Sequence, residues 1–214
     1  MRRRVAAAAM AMAACAAAGW ADDGIERLER LGDALRQRPV WTSEFQQEYV
    51  PAGMDLGDET AGAVWVAWPD RALFDTGTPA LRRLALDGRE VRLLDLEVGS
   101  CDDHALTDDE WARVPLTAVL DPRRAVDRFT LLAGGDAEVV MVPREPGGIS
   151  RVTIRAGADG LPAEIVIEDP QGAVNRLRFT GWRPADGPPG GAWLPSPPEG
   201  IECVRDAAGA GPAG

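Results

Sequence analysis

The feature that most constrains the fold is a change in the spacing of apolar residues at Pro39. From Ile25 to Leu35 they recur at steps of three and four, which places side chains on one face of a helix. This predicts an amphipathic helix over 23–37 that ends before the proline. After Pro39 the chain changes to short segments rich in Val, Trp, Phe and Ile, separated by Gly, Pro and Asp, which is typical of strands and turns.

Tight Gly-containing turns link many of these segments and favour an antiparallel meander. In the hairpin on either side of Gln171-Gly172, apolar residues alternate at two-residue steps in both arms. The sequence therefore predicts an α+β fold that is mainly antiparallel β. The predicted strands are 40–49, 62–68, 81–86, 90–97, 128–132, 138–143, 150–156, 163–169 and 174–181.

A second helix is predicted over 107–120. Thr107 and Glu110 have the spacing of a capping box, and acidic residues fill the first turn, where the helix dipole favours negative charge. Pro115 is expected to kink this helix or end its first part.

The N-terminus has the pattern of a secretory signal peptide, with three arginines after Met1 and an apolar run over 5–18. The run is too short to span a membrane, and we expect cleavage near Ala21 and a periplasmic protein. One domain is predicted over 22–206, with a disordered tail of Ala, Gly and Pro over 207–214. Alternatively, Met12 to Cys15 form a lipobox, and Cys15 becomes the lipidated first residue of an anchored protein.

The charge of the chain argues against nucleic acid as a partner. The net charge is −11, and loss of the three arginines with the signal peptide would make it −14. The two cysteines left after processing, Cys101 and Cys203, are expected to pair in an oxidising compartment, although two separate thiols remain an alternative.

The sequence offers little for catalysis. Its single histidine, His104, follows Asp102 and Asp103, and the sequence has no nucleophile elbow, zinc-protease motif, phosphate-binding loop or dinucleotide fingerprint. His104 and its two neighbours could bind a metal, but a solvated acidic loop explains them better, since a compact site needs three or more convergent ligands. We expect no enzyme activity, no cofactor and no metal.

Several segments, taken in order, resemble the LolA family of lipoprotein carriers. They are the N-terminal helix, Phe45-Gln46-Gln47, the segment from Gly62 to Pro69, Asp87-Gly88, Val114-Pro115-Leu116, Asp169-Pro170-Gln171-Gly172, and the segment from Pro197 to Ile201. The resemblance implies a curved, incomplete β-barrel (half-barrel) with covering helices and an apolar cavity. It also implies a monomer that takes acylated lipoprotein or lipid cargo from an inner-membrane donor complex to an outer-membrane acceptor.

Trp68 stands where the family has an arginine that holds the helical lid, and tryptophan cannot supply a guanidinium group. The alternation that places Val64, Val66 and Trp68 on one strand face predicts that this face lines the cavity. The residues predicted to bind the ligand are Val64, Val66, Trp68, Phe74, Ile165, Ile167 and Phe179. The residues predicted to form the lid are Trp111, Val114, Leu116 and Val119.

Two other functions remain open at this level. A lipid-anchored acceptor of the related LolB type would require Cys15 as the processed N-terminus. A periplasmic scaffold or binding protein without lipid cargo would fill the same concave face with its own side chains.

Overall fold

The computed structural model describes residues 23–107, 110, 122–135 and 137–205. Helix α1 spans 23–36, helix α2 spans Pro122–Arg128, and a short 3-10 turn spans Pro189–Gly191. The strands are β1 (Trp41–Val50), β2 (Asp58–Ala67), β3 (Arg71–Thr76), β4 (Arg82–Asp87), β5 (Glu90–Asp95), β6 (Ser100–Ala105), β7 (Phe129–Ala133), β8 (Glu138–Pro143), β9 (Arg151–Ala156), β10 (Pro162–Glu168), β11 (Val174–Pro184) and β12 (Cys203–Arg205).

These twelve strands form one open sheet in the order β12-β6-β5-β4-β3-β2-β1-β11-β10-β9-β8-β7. Every neighbouring pair is antiparallel except β12 with β6, which is parallel. The two ends of the sheet, β7 and β12, do not pair with each other, so it remains a curved half-barrel. The predicted α+β class with an incomplete antiparallel barrel is confirmed.

All nine predicted strands are present, with bounds that differ by a few residues, whereas β3, β6 and β12 were not predicted. The longest pairings join β1 to β2 on one side and to β11 on the other, and β1 and β11 are neighbours although they are far apart in the sequence. This arrangement brings the first and last long strands together at the centre of the sheet.

Helix α1 packs on the concave face of the sheet. Leu28 and Leu31 are almost fully buried, and they join a core that includes Met141 and Ile154 from β8 and β9. The periodicity that predicts this helix is thus explained by burial of one face against the sheet.

The chain after β11 covers part of the convex face. This C-terminal strap, residues 185–202, passes behind β1 to β5 and ends at β12, where Cys203 lies opposite Cys101 and forms a disulfide with it. Arg92 on the convex face donates a hydrogen bond of 3.1 Å to the carbonyl of Pro195, which is buried in the strap. This part of the convex face is therefore covered. The alternative of two separate thiols is wrong.

Candidate functional site: an apolar cavity on the concave face

Helix α1 is anchored on the β7 to β10 side of the concave face. Arg27 donates hydrogen bonds of 2.6 and 3.0 Å to the carbonyls of Gly135 and Glu138, in the turn between β7 and β8. Near the other end of the helix, a Cβ on Gly160 would lie 3.5 Å from the Cβ of Ala34, so the helix also touches the turn between β9 and β10. The concave face formed by β1 to β5 and β11 is left with a cavity.

The cavity has a volume of about 420 Å³ and lies between β1 to β5, β10, β11 and the end of α1. This volume is within the range of roughly 300–1,000 Å³ found for small-molecule pockets. None of the described residues that line it is charged. They are Leu35, Phe45, Gln47, Val64, Val66, Ala72, Phe74, Thr76, Leu84, Ala85, Leu86, Val91, Leu106, Pro162, Ile165, Ile167, Asn175, Leu177, Phe179 and Trp182.

The two ends of the cavity differ in polarity. Near the ends of β1 and β3 and the start of β11 lie its three polar side chains, Gln47, Thr76 and Asn175, which we call the polar rim. The opposite end, beside Leu35 and Trp182, is apolar. The indole N–H of Trp182 adds no free donor at this end, because the N–H donates a 2.7 Å hydrogen bond to the carbonyl of Pro162.

Close packing of aromatic rings shapes the middle of the cavity. Phe45 and Phe74 meet edge to face with centroids 5.5 Å apart, and Phe179 and Trp182 are 5.6 Å apart. Gly62 makes room for this arrangement, since a Cβ there would lie 3.0 Å from the Phe45 ring and 1.9 Å from the carbonyl oxygen of Asp75. The glycine allows β2 and β3 to approach each other at this point.

Six of the seven predicted ligand-binding residues line this cavity, namely Val64, Val66, Phe74, Ile165, Ile167 and Phe179. Trp68 does not line it, and 48% of its surface is exposed. The reason is that β2 ends at Ala67, so the two-residue alternation that carries Val64 and Val66 inward stops one residue earlier. Trp68 is thus not among the described lining residues, and a ligand-binding role for any of the seven remains a prediction.

The sequence reasoning missed several lining residues that its own patterns could have supplied. Gln47 shares the strand face of Phe45, Leu177 shares that of Phe179, and Leu35 lies on the buried stripe of α1. Ala72 could not have been found, because β3 was not recognised as a strand.

The start of the predicted second helix lies beside the cavity. Glu110 accepts hydrogen bonds of 2.8 Å from the backbone N–H and the hydroxyl of Thr107, and Glu110 is helical, so the predicted capping box is present. His104 lies 3.1 Å from the second oxygen of Glu110. The Thr107 backbone bond, followed by the hydroxyl and His104, lowers the pKa of Glu110 to about 2. The predicted lid residues Trp111, Val114, Leu116 and Val119 lie outside the described residues, as do the signal peptide, Cys15 and the tail.

Among the described residues, one group of side chains has the spacing of a metal site, and it is not the group of Asp102, Asp103 and His104. Cys101, Asp103 and Cys203 place ligand atoms within 4.8 Å of one another. The two sulfurs are joined in a disulfide, so neither is a thiolate, and Asp103 is bound by Arg92 through two hydrogen bonds of 2.7 and 2.8 Å. The geometry therefore reflects the disulfide and its neighbouring ion pair.

None of the described helices is long and apolar enough to span a bilayer. Comparison with curated proteins finds no significant match. The family model for the outer membrane lipoprotein carrier protein LolA matches residues 39–189, a range that includes β1 to β11 and hence every strand lining the cavity.

Solved structures with a similar course of the chain have low sequence identity to it. An uncharacterised conserved protein from Thermus thermophilus is 15% identical, with 85% of this chain and 98% of that chain covered and a TM-score of 0.49. A LolA superfamily protein from Nitrosomonas europaea is 11% identical (78% and 96% covered, TM-score 0.43). The lipoprotein LppX from Mycobacterium tuberculosis is also 11% identical (77% and 98% covered, TM-score 0.40).

Proposed function

Because this chain belongs to the LolA family, we propose that it is an exported, non-catalytic carrier that holds an acyl chain of a lipoprotein or another lipidic product in the cavity on its concave face. The observation that carries the proposal is the composition of that cavity. It is lined by apolar side chains except at the polar rim, and it contains no charged side chain among the described residues.

The physical driving force for capture is removal of the acyl chain from water. Each buried methylene group gains about 0.8 kcal/mol, so ten of them would contribute roughly 8 kcal/mol before the cost of immobilising the chain. The aromatic rings and branched side chains that line the cavity offer contacts without hydrogen-bonding groups that would need partners. The affinity for an acyl chain should therefore rise with the length of that chain, and binding requires no chemical reaction.

Release requires a competing apolar surface, because the sequence has no nucleotide-binding motif to supply energy. We therefore place the protein in the periplasm, between an inner-membrane donor and an outer-membrane acceptor whose groove binds the acyl chain more tightly. The family match supports this route, and the cargo is named here only as an acylated molecule.

A pair of substitutions on one strand tests the carrier function. Ile167 on β10 lines the cavity, whereas its neighbour Val166 points to the other face of the sheet. We expect Ile167→Trp to displace about three methylene groups of the ligand and to weaken binding of a fluorescent acyl probe about 50-fold, from 0.8 kcal/mol for each methylene group. Val166→Trp is the matched control and should bind the probe as the unmodified protein does.

Fluorescence titration gives the affinities, and native mass spectrometry of protein purified from its own periplasm identifies the cargo. Absence of both probe binding and co-purified lipid in the unmodified protein would contradict the carrier function. Equal affinity of the two tryptophan variants would show that the acyl chain binds elsewhere.

A further inference from the structure

The polar rim contains a hydrogen-bonded pair of amide side chains in a cavity that is otherwise suited to hydrocarbon. Gln47 on β1 and Asn175 on β11 are diagonal neighbours on the concave face, because Gln47 lies opposite Leu177 and Asn175 lies opposite Tyr49. The Nε2 of Gln47 donates a 2.9 Å hydrogen bond to the Oδ1 of Asn175. Each side chain is partly buried and contributes to the cavity wall.

This bond leaves part of the hydrogen-bonding capacity of the pair available. A primary amide has two N–H donors and one oxygen with two lone pairs. The pair therefore retains three donors, both lone pairs of the Gln47 Oε1 and one lone pair of the Asn175 Oδ1. Leucine or valine at these positions would have continued the apolar wall without any such requirement. Both amide side chains line the end of the cavity that is opposite to Leu35 and Trp182.

The charges near this end argue against an ionised head group. No described residue lining the cavity is charged. Arg82, which lies opposite Thr76 in the sheet, is bound to Asp95 at 2.7 Å and to Glu97 at 3.5 Å. Among the described residues, a free carboxylate would therefore lose its hydration without gaining an unshared cation at this rim. A neutral carbonyl group loses less and can accept the amide N–H groups.

Building on the carrier function, we propose that Gln47 and Asn175 bind the neutral amide or ester group that links the acyl chain to the rest of its cargo. The chain then enters with its tail towards Leu35 and Trp182, while the cargo remains outside the polar rim. Asn175 and Trp182 are seven residues apart on β11, or about 23 Å along a strand. This line gives the direction in which a long chain extends. The site selects acyl amides and esters over free fatty acids.

The test compares three ligands and two sets of variants. The ligands are monopalmitoylglycerol, palmitate, and the apolar dye N-phenyl-1-naphthylamine, which reports on the cavity alone. The variant Gln47→Leu with Asn175→Leu removes the amide pair, and Gln47→Met keeps the side-chain length in case the double variant folds poorly. Gln46→Leu is the matched control, because Gln46 is exposed on the opposite face of the same strand.

We expect the unmodified protein and the Gln46→Leu control to bind monopalmitoylglycerol more tightly than palmitate. The double variant should bind monopalmitoylglycerol about tenfold more weakly, the loss expected for one or two neutral hydrogen bonds, and Gln47→Met severalfold more weakly. Binding of the dye should stay the same or tighten. Two results would overturn the head-group site and leave the carrier function standing. One is unchanged binding of monopalmitoylglycerol by variants that still bind the dye, and the other is a preference of the unmodified protein for palmitate. Failure of the unmodified protein to bind the dye would instead contradict the carrier function.

Discussion

Loss of the disulfide between Cys101 and Cys203 should lower the stability of this protein by an amount that its position allows us to work out. The two cysteines are 102 residues apart, so the bond closes a long loop in the unfolded chain. The loop-closure relation gives an entropy of about 16 cal/mol/K for such a loop, or about 4.7 kcal/mol at 25 °C. Cys203→Ala is the suitable perturbation because it leaves the buried Cys101 in place.

Urea unfolding followed by tryptophan fluorescence measures this loss. With a slope of about 2–3 kcal/mol per molar urea, the midpoint should fall by roughly 2 M. The reduced form of the unmodified protein should show the same midpoint as Cys203→Ala, since both lack only the covalent link. Ser196→Ala, at an exposed position of the C-terminal strap, is the control and should leave the midpoint unchanged. A fall of less than about 0.5 M, under 1.5 kcal/mol at that slope, would refute the loop-closure account of this bond.

Three further predictions concern single residues. Gly62→Ala should destabilise the fold by about 1–3 kcal/mol, the cost of inserting a methyl group into a packed site. Gly148→Ala is the control and should not destabilise it, because a Cβ there meets nothing within 4 Å; chemical unfolding compares the two variants. The hydrogen bonds from Arg92 lower the pKa of Asp103, so this carboxylate stabilises the fold above pH 3.8. The unmodified protein should be more stable than Asp103→Asn by about 2–3 kcal/mol at neutral pH, and this difference should vanish as the pH falls through the lowered pKa. Burial raises the pKa of Asp75, so the unmodified protein should lose stability relative to Asp75→Asn as the pH rises above 3.8 through the raised pKa; parallel pH profiles for the unmodified protein and either variant would contradict the assignment.

Strands with a regular two-residue alternation were predictable from the sequence, whereas β3 and β6, which lack it, were not. The hairpin of β10 and β11 shows the two-residue alternation that burial of one face imposes. In β3 that alternation is lost, because Phe74 contributes to the cavity while the adjacent Leu73 is buried on the convex face. Strand β6 has the composition of a loop, and its buried Asp103 is acceptable there only because Arg92 binds it.

The candidate site was predictable where it depends on alternation within a strand and unpredictable where it depends on the bounds of a strand or on pairing between distant strands. Val64 and Val66 follow from the pattern of β2. Pro69 marks the end of this strand only to within one residue, so the exact end at Ala67, which leaves Trp68 outside β2, could not be predicted. The hydrogen bond between Gln47 and Asn175 joins residues 128 positions apart. It follows from the pairing of β1 with β11, which local periodicity cannot supply.

The C-terminal strap has a consequence for how the cavity could change its width. The strap begins at β11 in the middle of the sheet and is bonded covalently to β6 near one edge, so it ties these two strands together over the outside of the curve. Tighter curling of the sheet would lengthen the path that the strap must follow over the convex face, whereas flattening would shorten it, and the disulfide fixes the outer end of the strap. The strap therefore limits how far the cavity can narrow, and it leaves the sheet free to unbend around a larger ligand.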